Sequence, residues 1–114
     1  MNHIKNRLGI IILAAGKGTR MKSDKAKVLH PVSGRPMIVH VMDTALNLVD
    51  PTDIVVVIGH QAESVREIVF KTATAKFAFQ KIQKGTGHAV QCALPFLSEY
   101  CMHVVILSGD VPLI

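Results

Sequence analysis

The 114-residue sequence predicts an α/β fold in which a mostly parallel sheet is covered by helices on both faces. Short apolar runs rich in β-branched residues alternate with segments whose apolar residues recur at helical spacing. This alternation is typical of parallel strands joined by crossover helices. The polar, glycine-containing stretches all follow predicted strands, at the edge where such sheets bind ligands.

In the first half of the chain, a buried strand is predicted at residues 9–15, a continuous β-branched run bounded by glycine. A loop follows as far as Arg35. Pro36 suits the first position of a helix, and apolar residues at helical spacing continue to residue 49. The residues DPTD then end that helix.

The second half continues the alternation. Residues 53–59 predict a second buried strand, residues 61–71 a short amphipathic helix, and residues 76–80 a short strand. A helix is predicted to begin after the glycines of GTGHAVQCALPFL and to be disturbed near its proline. Residues 103–107 predict the last buried strand.

Composition excludes several classes of protein. The chain is 49% apolar, which is enough for a packed core, but no segment approaches the length of a membrane span. Aromatic residues make up 4%, so a stacking platform for single-stranded nucleic acid is not expected. Cys92 and Cys101 have no spacing typical of a disulfide framework or a zinc site, which fits a reduced, cytoplasmic setting.

The net charge of +5 is concentrated in one segment. Residues 16–35 contain six Lys or Arg residues and one acidic residue. Such a local cluster suits an anionic ligand that binds in one place. A solvated basic loop is the alternative, and charge alone does not decide between them.

The stretch LAAGKGTR begins this segment. Gly16 and Gly18 would let backbone N–H groups approach a ligand closely, while Lys17 and Arg20 add positive charge. The stretch matches neither the P-loop pattern nor the dinucleotide pattern G-x-G-x-x-G. We predict phosphate binding here rather than an ordinary turn, and Lys27 is near enough in sequence to reach the same phosphates.

A second polar stretch, QKIQKGTGHA, follows the third predicted strand. Gln80 and Gln83 carry both the donors and the acceptors needed to recognise a base edge. Gly85 allows close backbone approach before a helix begins. A polar loop whose helix is capped by Thr86 is the alternative. His88 is predicted to be a helix residue rather than a catalyst.

The stretch LSGD ends the last predicted strand. Asp110 would lie at the carboxyl edge of the sheet, and Mg²⁺ prefers carboxylate oxygens together with phosphate oxygens and water. The sequence therefore predicts Asp110 as a Mg²⁺ ligand. An aspartate that caps a turn is the alternative.

In this order, LAAGKGTRM-x5-KVLHPVSGRPM, QKIQKGTGHAV and LSGDVPL resemble one family. It is the N-terminal uridyltransferase domain of bacterial bifunctional N-acetylglucosamine-1-phosphate uridyltransferase/glucosamine-1-phosphate acetyltransferases, within the MobA-like NTP transferase superfamily. The resemblance covers nearly the whole chain and implies a Rossmann-like nucleotide-diphospho-sugar transferase fold, present in part. One departure is Ala26, where the family usually has proline.

The resemblance implies a role for each motif. Arg20 and Lys27 would be catalytic and neutralise phosphate charge in the transition state, while Gln80 with Gly85 and Thr86 would recognise uracil. Asp110 would hold Mg²⁺ as the cofactor. The whole predicted nucleotide-binding set is Leu13, Ala14, Ala15, Gly16, Lys17, Gly18, Lys27, Gln80, Gln83, Gly85, Thr86, Ser108, Gly109 and Asp110.

The implied reaction transfers uridylyl from UTP to N-acetylglucosamine 1-phosphate and releases pyrophosphate. UTP and a sugar 1-phosphate are the expected partners. Neither nucleic acid nor a membrane is expected to bind. Residues 1–114 would be the nucleotide-binding portion of a domain that continues in the family, followed there by a β-helix domain that forms trimers. Two alternatives stay open: a nucleotidyltransferase for another sugar or for molybdopterin, and a nucleotide-binding module without catalysis.

Overall fold

The computed structural model describes residues 7–16, 27–82, 84–98 and 101–109. Three short 3-10 turns occur in these ranges, at Lys27–Leu29, Pro51–Asp53 and Leu94–Phe96. The strands and α-helices of the described residues are β1 Arg7–Leu13, β2 Pro31–Val32, β3 Arg35–Pro36, α1 Met37–Leu46, β4 Ile54–Ile58, α2 Ala62–Thr72, β5 Lys76–Phe79, α3 Thr86–Ala93 and β6 Cys101–Ser108. No helix of this part of the chain has the length and apolar character that crossing a membrane requires.

Four strands form a parallel sheet in the order β5-β4-β1-β6, which confirms the predicted fold class. Ile10 of β1 lies opposite Ile54 of β4 on one side and Val105 of β6 on the other. The chain moves outward from β1 through β4 to β5 and then returns to place β6 beyond β1. The strand order therefore reverses beside β1, and parallel sheets bind ligands at the carboxyl edge next to such a point.

Helices cover both faces of the sheet, as the continuous apolar runs predict. Ile10 and Ile12 of β1 point to the face covered by α1 and α2, and neither side chain is exposed. Ile11 points to the opposite face, where Ala89 and Ala93 of α3 pack. Burying a side chain of this size stabilises the fold by roughly 1.5–3 kcal/mol. The central strands are therefore packed on both faces where they lead to the sheet edge.

The prediction is wrong around Pro36. Its ψ of 143° is extended, so it precedes α1 as the N-cap instead of opening the helix. The predicted loop contains a small antiparallel hairpin in which β2 pairs with β3. Ser33 and Gly34 turn this hairpin with φ values of 53° and 80°. Two-residue loops with positive φ at both positions match the twist of antiparallel strands.

The last predicted strand forms, but it is not buried. Val105 and Leu107 of β6 pack on the α1 face, whereas Met102, Val104 and Ile106 on the other face are exposed. Among the described residues, α3 covers β4, β5 and β1 on that face and does not extend over β6. An apolar run thus correctly indicates a strand, while the burial of each face depends on what packs against it.

Candidate functional site

Backbone hydrogen bonds tie the carboxyl ends of three strands together. Just beyond β6, Gly109 donates its N–H to the carbonyl of Leu13 at 2.9 Å. Just beyond β4, His60 donates its N–H to the carbonyl of Ala15 at 3.2 Å. The last residue of β1 and the segment just after it are therefore held from the two sides, at the point where the strand order reverses.

Gly59 lets the end of β5 join this edge. A Cβ atom at Gly59 would lie 2.9 Å from the carbonyl oxygen of Gln80 and 3.0 Å from the Cβ of Ala15. The N–H of Gln80 donates to the carbonyl of Ile58 at 2.8 Å. Because no side chain intervenes, Ala15 and Gln80 lie on either side of Gly59 along one continuous edge.

Gly109 is a second position of close packing. A Cβ there would lie 3.0 Å from the carbonyl oxygen of Leu13, from Val28 and from Ile38. Val28 is buried and belongs to the 3-10 turn that begins at Lys27. The backbone of Lys27 is therefore placed beside the same edge, as a lysine directed at a shared phosphate would require.

Gln80 is the most constrained polar side chain of this edge. It is 4% exposed, and its Nε2 lies 3.3 Å from the carbonyl oxygen of Gly85 and 3.0 Å from Nδ1 of His88. Gly85 has φ 95° and ψ 178°, a conformation that residues with a side chain rarely adopt. The loop between β5 and α3 is therefore folded back onto the glutamine.

The structure brings together nine of the predicted site residues along the carboxyl edge. Ala14, Ala15, Gln80 and Gly109 are buried, so their contribution to binding would come from backbone groups or a single side-chain atom. The ones that a ligand could reach from solvent are Gly16, Gly85, Thr86 and Ser108, which are exposed, and Leu13, which is half-buried.

Thr86 does not cap α3. Gly85 occupies the N-cap position, and no side chain among the described residues donates or accepts a capping hydrogen bond there. Thr86 is the first helical residue, with its side chain exposed. A helix N-terminus without a side-chain cap leaves its first N–H groups available to water or a ligand.

Other predicted residues lie outside the described ranges. They are Lys17, Gly18, Arg20, Gln83 and Asp110, together with the side chain of Lys27. Within the described part of the chain, no group of three His, Cys, Asp or Glu side chains could hold a metal ion. The phosphate-binding cations and the Mg²⁺ ligand therefore stay predictions.

The groups with shifted pKa values lie at the opposite edge of the sheet. The Nε of Arg7 donates to Oδ2 of Asp53 at 2.7 Å, and this hydrogen bond raises the pKa of the arginine. Burial raises the pKa of the Cys101 thiol, and the charge of Asp53 adds to the effect. Arg7 and Cys101 begin strands and Asp53 immediately precedes one, so these residues support the amino end of the sheet and are not part of the candidate site.

The sequence predicted His88 as a helix residue and indicated no role for it in the site. It is a helix residue, as predicted, but its ring also contacts Gln80. An interval of eight residues across a loop carries no recognisable pattern, because the contact depends on how α3 packs against β5. The one feature of the sequence that could have indicated this contact is a histidine in the first turn of the helix that follows the loop.

Comparison with known proteins agrees with this geometry. The model of the MobA-like NTP transferase domain matches residues 10–114. The chain is 56% identical over 106 residues to the bifunctional protein GlmU of Paraburkholderia xenovorans, which covers 93% of this chain and 23% of that protein. It is 52% identical over 111 residues to the GlmU of Desulfotalea psychrophila, covering 96% of this chain and 32% of that protein. The chain thus spans about a quarter to a third of these relatives.

Solved structures share the fold. A nucleotidyl transferase from Methanothermobacter thermautotroptrophicus superposes with a TM-score of 0.79 at 21% identity, over 96% of this chain and 53% of that one. At that identity the similarity shows the fold alone. It agrees with the parallel sheet and flanking helices described above.

Proposed function

The chain belongs to the family of MobA-like NTP transferase domains, and we propose that it binds UTP at the carboxyl edge of its sheet for uridylyl transfer to N-acetylglucosamine 1-phosphate. The observation that carries this proposal is the continuous row formed by Gly109, Leu13, Ala15, Gly59 and Gln80 beside the strand reversal. The identity of 56% to a GlmU protein supports the choice of reaction.

The protein's part in this reaction is positioning and charge. A phosphate oxygen of the sugar 1-phosphate would attack the α-phosphorus of UTP, and the bond from that phosphorus to pyrophosphate would break. No covalent nucleophile from the protein is needed. Backbone N–H groups near the exposed Gly16 would hold phosphate oxygens, and Arg20 and Lys27 would neutralise the charge that develops on them.

Mg²⁺ is the cofactor of this proposal, and Asp110 is the residue that would hold it. Asp110 directly follows Gly109 in the sequence. Gly109 is held at the edge of the sheet because its N–H donates to the carbonyl of Leu13. One carboxylate together with phosphate oxygens and water is a usual donor set for Mg²⁺. When bound, the ion would draw charge from the triphosphate.

A nucleotide-binding module without catalysis is the second candidate. It is favoured by one observation: the described residues of the sheet edge are all assigned to the nucleotide, and none of them to the sugar phosphate. In both candidates the described edge binds the nucleotide. They differ in whether these 114 residues also place the sugar phosphate.

Calorimetric titration of the 114-residue chain with UTP, with and without Mg²⁺, tests the shared part of the proposal. We expect UTP to bind more tightly with Mg²⁺ than without it, and ATP to bind weakly under both conditions. Equal binding of UTP and ATP would contradict uracil recognition at Gln80. Pyrophosphate release that requires both N-acetylglucosamine 1-phosphate and Mg²⁺ would then distinguish the enzyme from the binding module.

A further inference from the structure

The side-chain amide of Gln80 can have only one orientation in this structure. One amide atom lies 3.3 Å from the carbonyl oxygen of Gly85, which can only accept a hydrogen bond. That atom must therefore be the nitrogen, because two oxygens at this distance would repel each other. The backbone of the same residue is held by its N–H bond to Ile58. Both ends of the side chain are thus fixed.

This orientation determines the tautomer of His88. Nδ1 of His88 lies 3.0 Å from the same amide nitrogen, so Nδ1 must accept the second amide hydrogen. A neutral imidazole that accepts at Nδ1 carries its proton on Nε2. Nε2 faces the sulfur of Cys92 at 3.9 Å, and sulfur is a weak acceptor. The ring and the amide therefore fix each other's orientation.

We propose that His88 is a positioning residue that directs Oε1 of Gln80 toward the nucleotide base. With both amide hydrogens donated to Gly85 and His88, the oxygen is the only amide atom left for a ligand. An acceptor at this position matches the N3–H donor of uracil. It repels cytosine, whose N3 is itself an acceptor. The inference rests on the proposed function and explains how a glutamine, which could present either atom, distinguishes these two bases.

A role in packing alone would predict a different behaviour. If His88 only filled space against Gln80, an apolar side chain of similar size would leave the preference for uracil intact. If it also holds the amide, then its loss leaves the 3.3 Å hydrogen bond to Gly85 as the remaining contact against rotation, and the amide presents its nitrogen to a ligand more often. The affinity for UTP then falls and the affinity for CTP rises, without any change in the phosphate contacts.

The first experiment measures the ratio of CTP to UTP dissociation constants for the 114-residue chain. Replacing His88 by leucine should lower this ratio about tenfold, since one oriented hydrogen bond separates the two bases. His88→Asn should restore much of it, because its amide oxygen can accept near the position of Nδ1. His103→Leu is the matched control, since His103 is exposed on β6 and should leave the ratio unchanged.

The second experiment needs no ligand. Nitrogen chemical shifts of the His88 ring in the ¹⁵N-labelled chain should show a protonated Nε2 and an unprotonated Nδ1 at neutral pH. A proton on Nδ1 would overturn the inference. So would an unchanged ratio in His88→Leu when the wild type prefers UTP. A wild-type chain that binds both nucleotides equally would instead contradict the proposed function, whatever the tautomer.

Discussion

A methyl group at Gly59 would lie 2.9 Å from the carbonyl oxygen of Gln80, closer than real side-chain carbons come to backbone oxygens. The obstructing atom belongs to a backbone whose N–H is itself bonded to Ile58, so it cannot move aside as a flexible side chain could. Gly59 therefore determines how closely β4 and β5 meet at the carboxyl edge, and with it the position of the glutamine.

Gly59→Ala should destabilise the chain by about 1–3 kcal/mol, the usual cost of forcing an extra carbon into a packed position. It should also weaken UTP binding, because the carbonyl of Gln80 must shift. Urea unfolding measures the first effect and calorimetry the second.

Gly87→Ala is the control for this substitution. Gly87 lies in α3 with open space where a Cβ would be, and alanine favours helix over glycine by up to about 1 kcal/mol. The free energy of unfolding should stay the same or rise. Equal losses in the two alanine variants would show that contact with Gln80 is not the cause.

Gly85→Ala should be costly for a different reason. The space around Gly85 is open, but its φ of 95° with ψ 178° lies in a region that only glycine adopts readily. We expect a loss of about 1–3 kcal/mol from backbone strain. If the loop relaxes instead, the carbonyl that accepts from Gln80 moves, and the preference for UTP over CTP should decrease. A variant unchanged in both stability and preference would contradict this account.

Local patterns predicted most of the sheet, because buried parallel strands need continuous apolar runs. The strand predicted at residues 9–15 is observed at Arg7–Leu13, and the one predicted at 53–59 is observed at Ile54–Ile58. The β2–β3 hairpin was missed because two-residue strands have no periodicity. Its turn depends on Ser33 adopting positive φ, which the hairpin imposes and the residue type does not favour.

The candidate site was likewise predicted where local residues determine it and missed where packing does. Glycines after strands predicted where the edge lies, and Gln80 was predicted from its chemistry. Its partner His88 was not, because their contact requires α3 to dock on the sheet before the two side chains meet. The exposed face of β6 was also unpredictable from its own residues, since burial is a property of the neighbouring elements.

Cys101 predicts a pH dependence of stability. Its thiol pKa lies above the ordinary 9.0 in the folded chain, because burial disfavours the thiolate. The folded state therefore keeps the proton to higher pH than the unfolded state does. The contribution is fully present below about pH 8 and is lost as the pH rises through 9.0 toward the folded pKa.

Urea unfolding at a series of pH values tests this prediction against Cys101→Ser, which removes the titrating thiol at nearly the same volume. The wild type should lose more stability than the variant between about pH 8 and 10. In a Cys92→Ser background, the remaining thiol should also react with iodoacetamide more slowly than free cysteine. Reaction at the rate of free cysteine would contradict the raised pKa.

Lys27 gives the sharpest test of phosphate binding. Its turn is fixed by Val28, which is 3% exposed and packs where Gly109 follows β6. Lys27→Ala should raise the dissociation constant for UTP about 10- to 100-fold, the range expected for one lost charge-assisted hydrogen bond. Lys25→Ala, two residues earlier in the same basic segment, is the matched control and should have little effect.

Uridine separates the phosphate contact from the rest of the site. Because uridine carries no phosphate, its affinity in a competition assay should be the same for the wild type and Lys27→Ala. The loss of UTP affinity should also shrink at high salt, where screening weakens the contact in the wild type. Equal losses for UTP and uridine would mean that Lys27 supports the fold of the edge, and its assignment to the phosphates would be wrong.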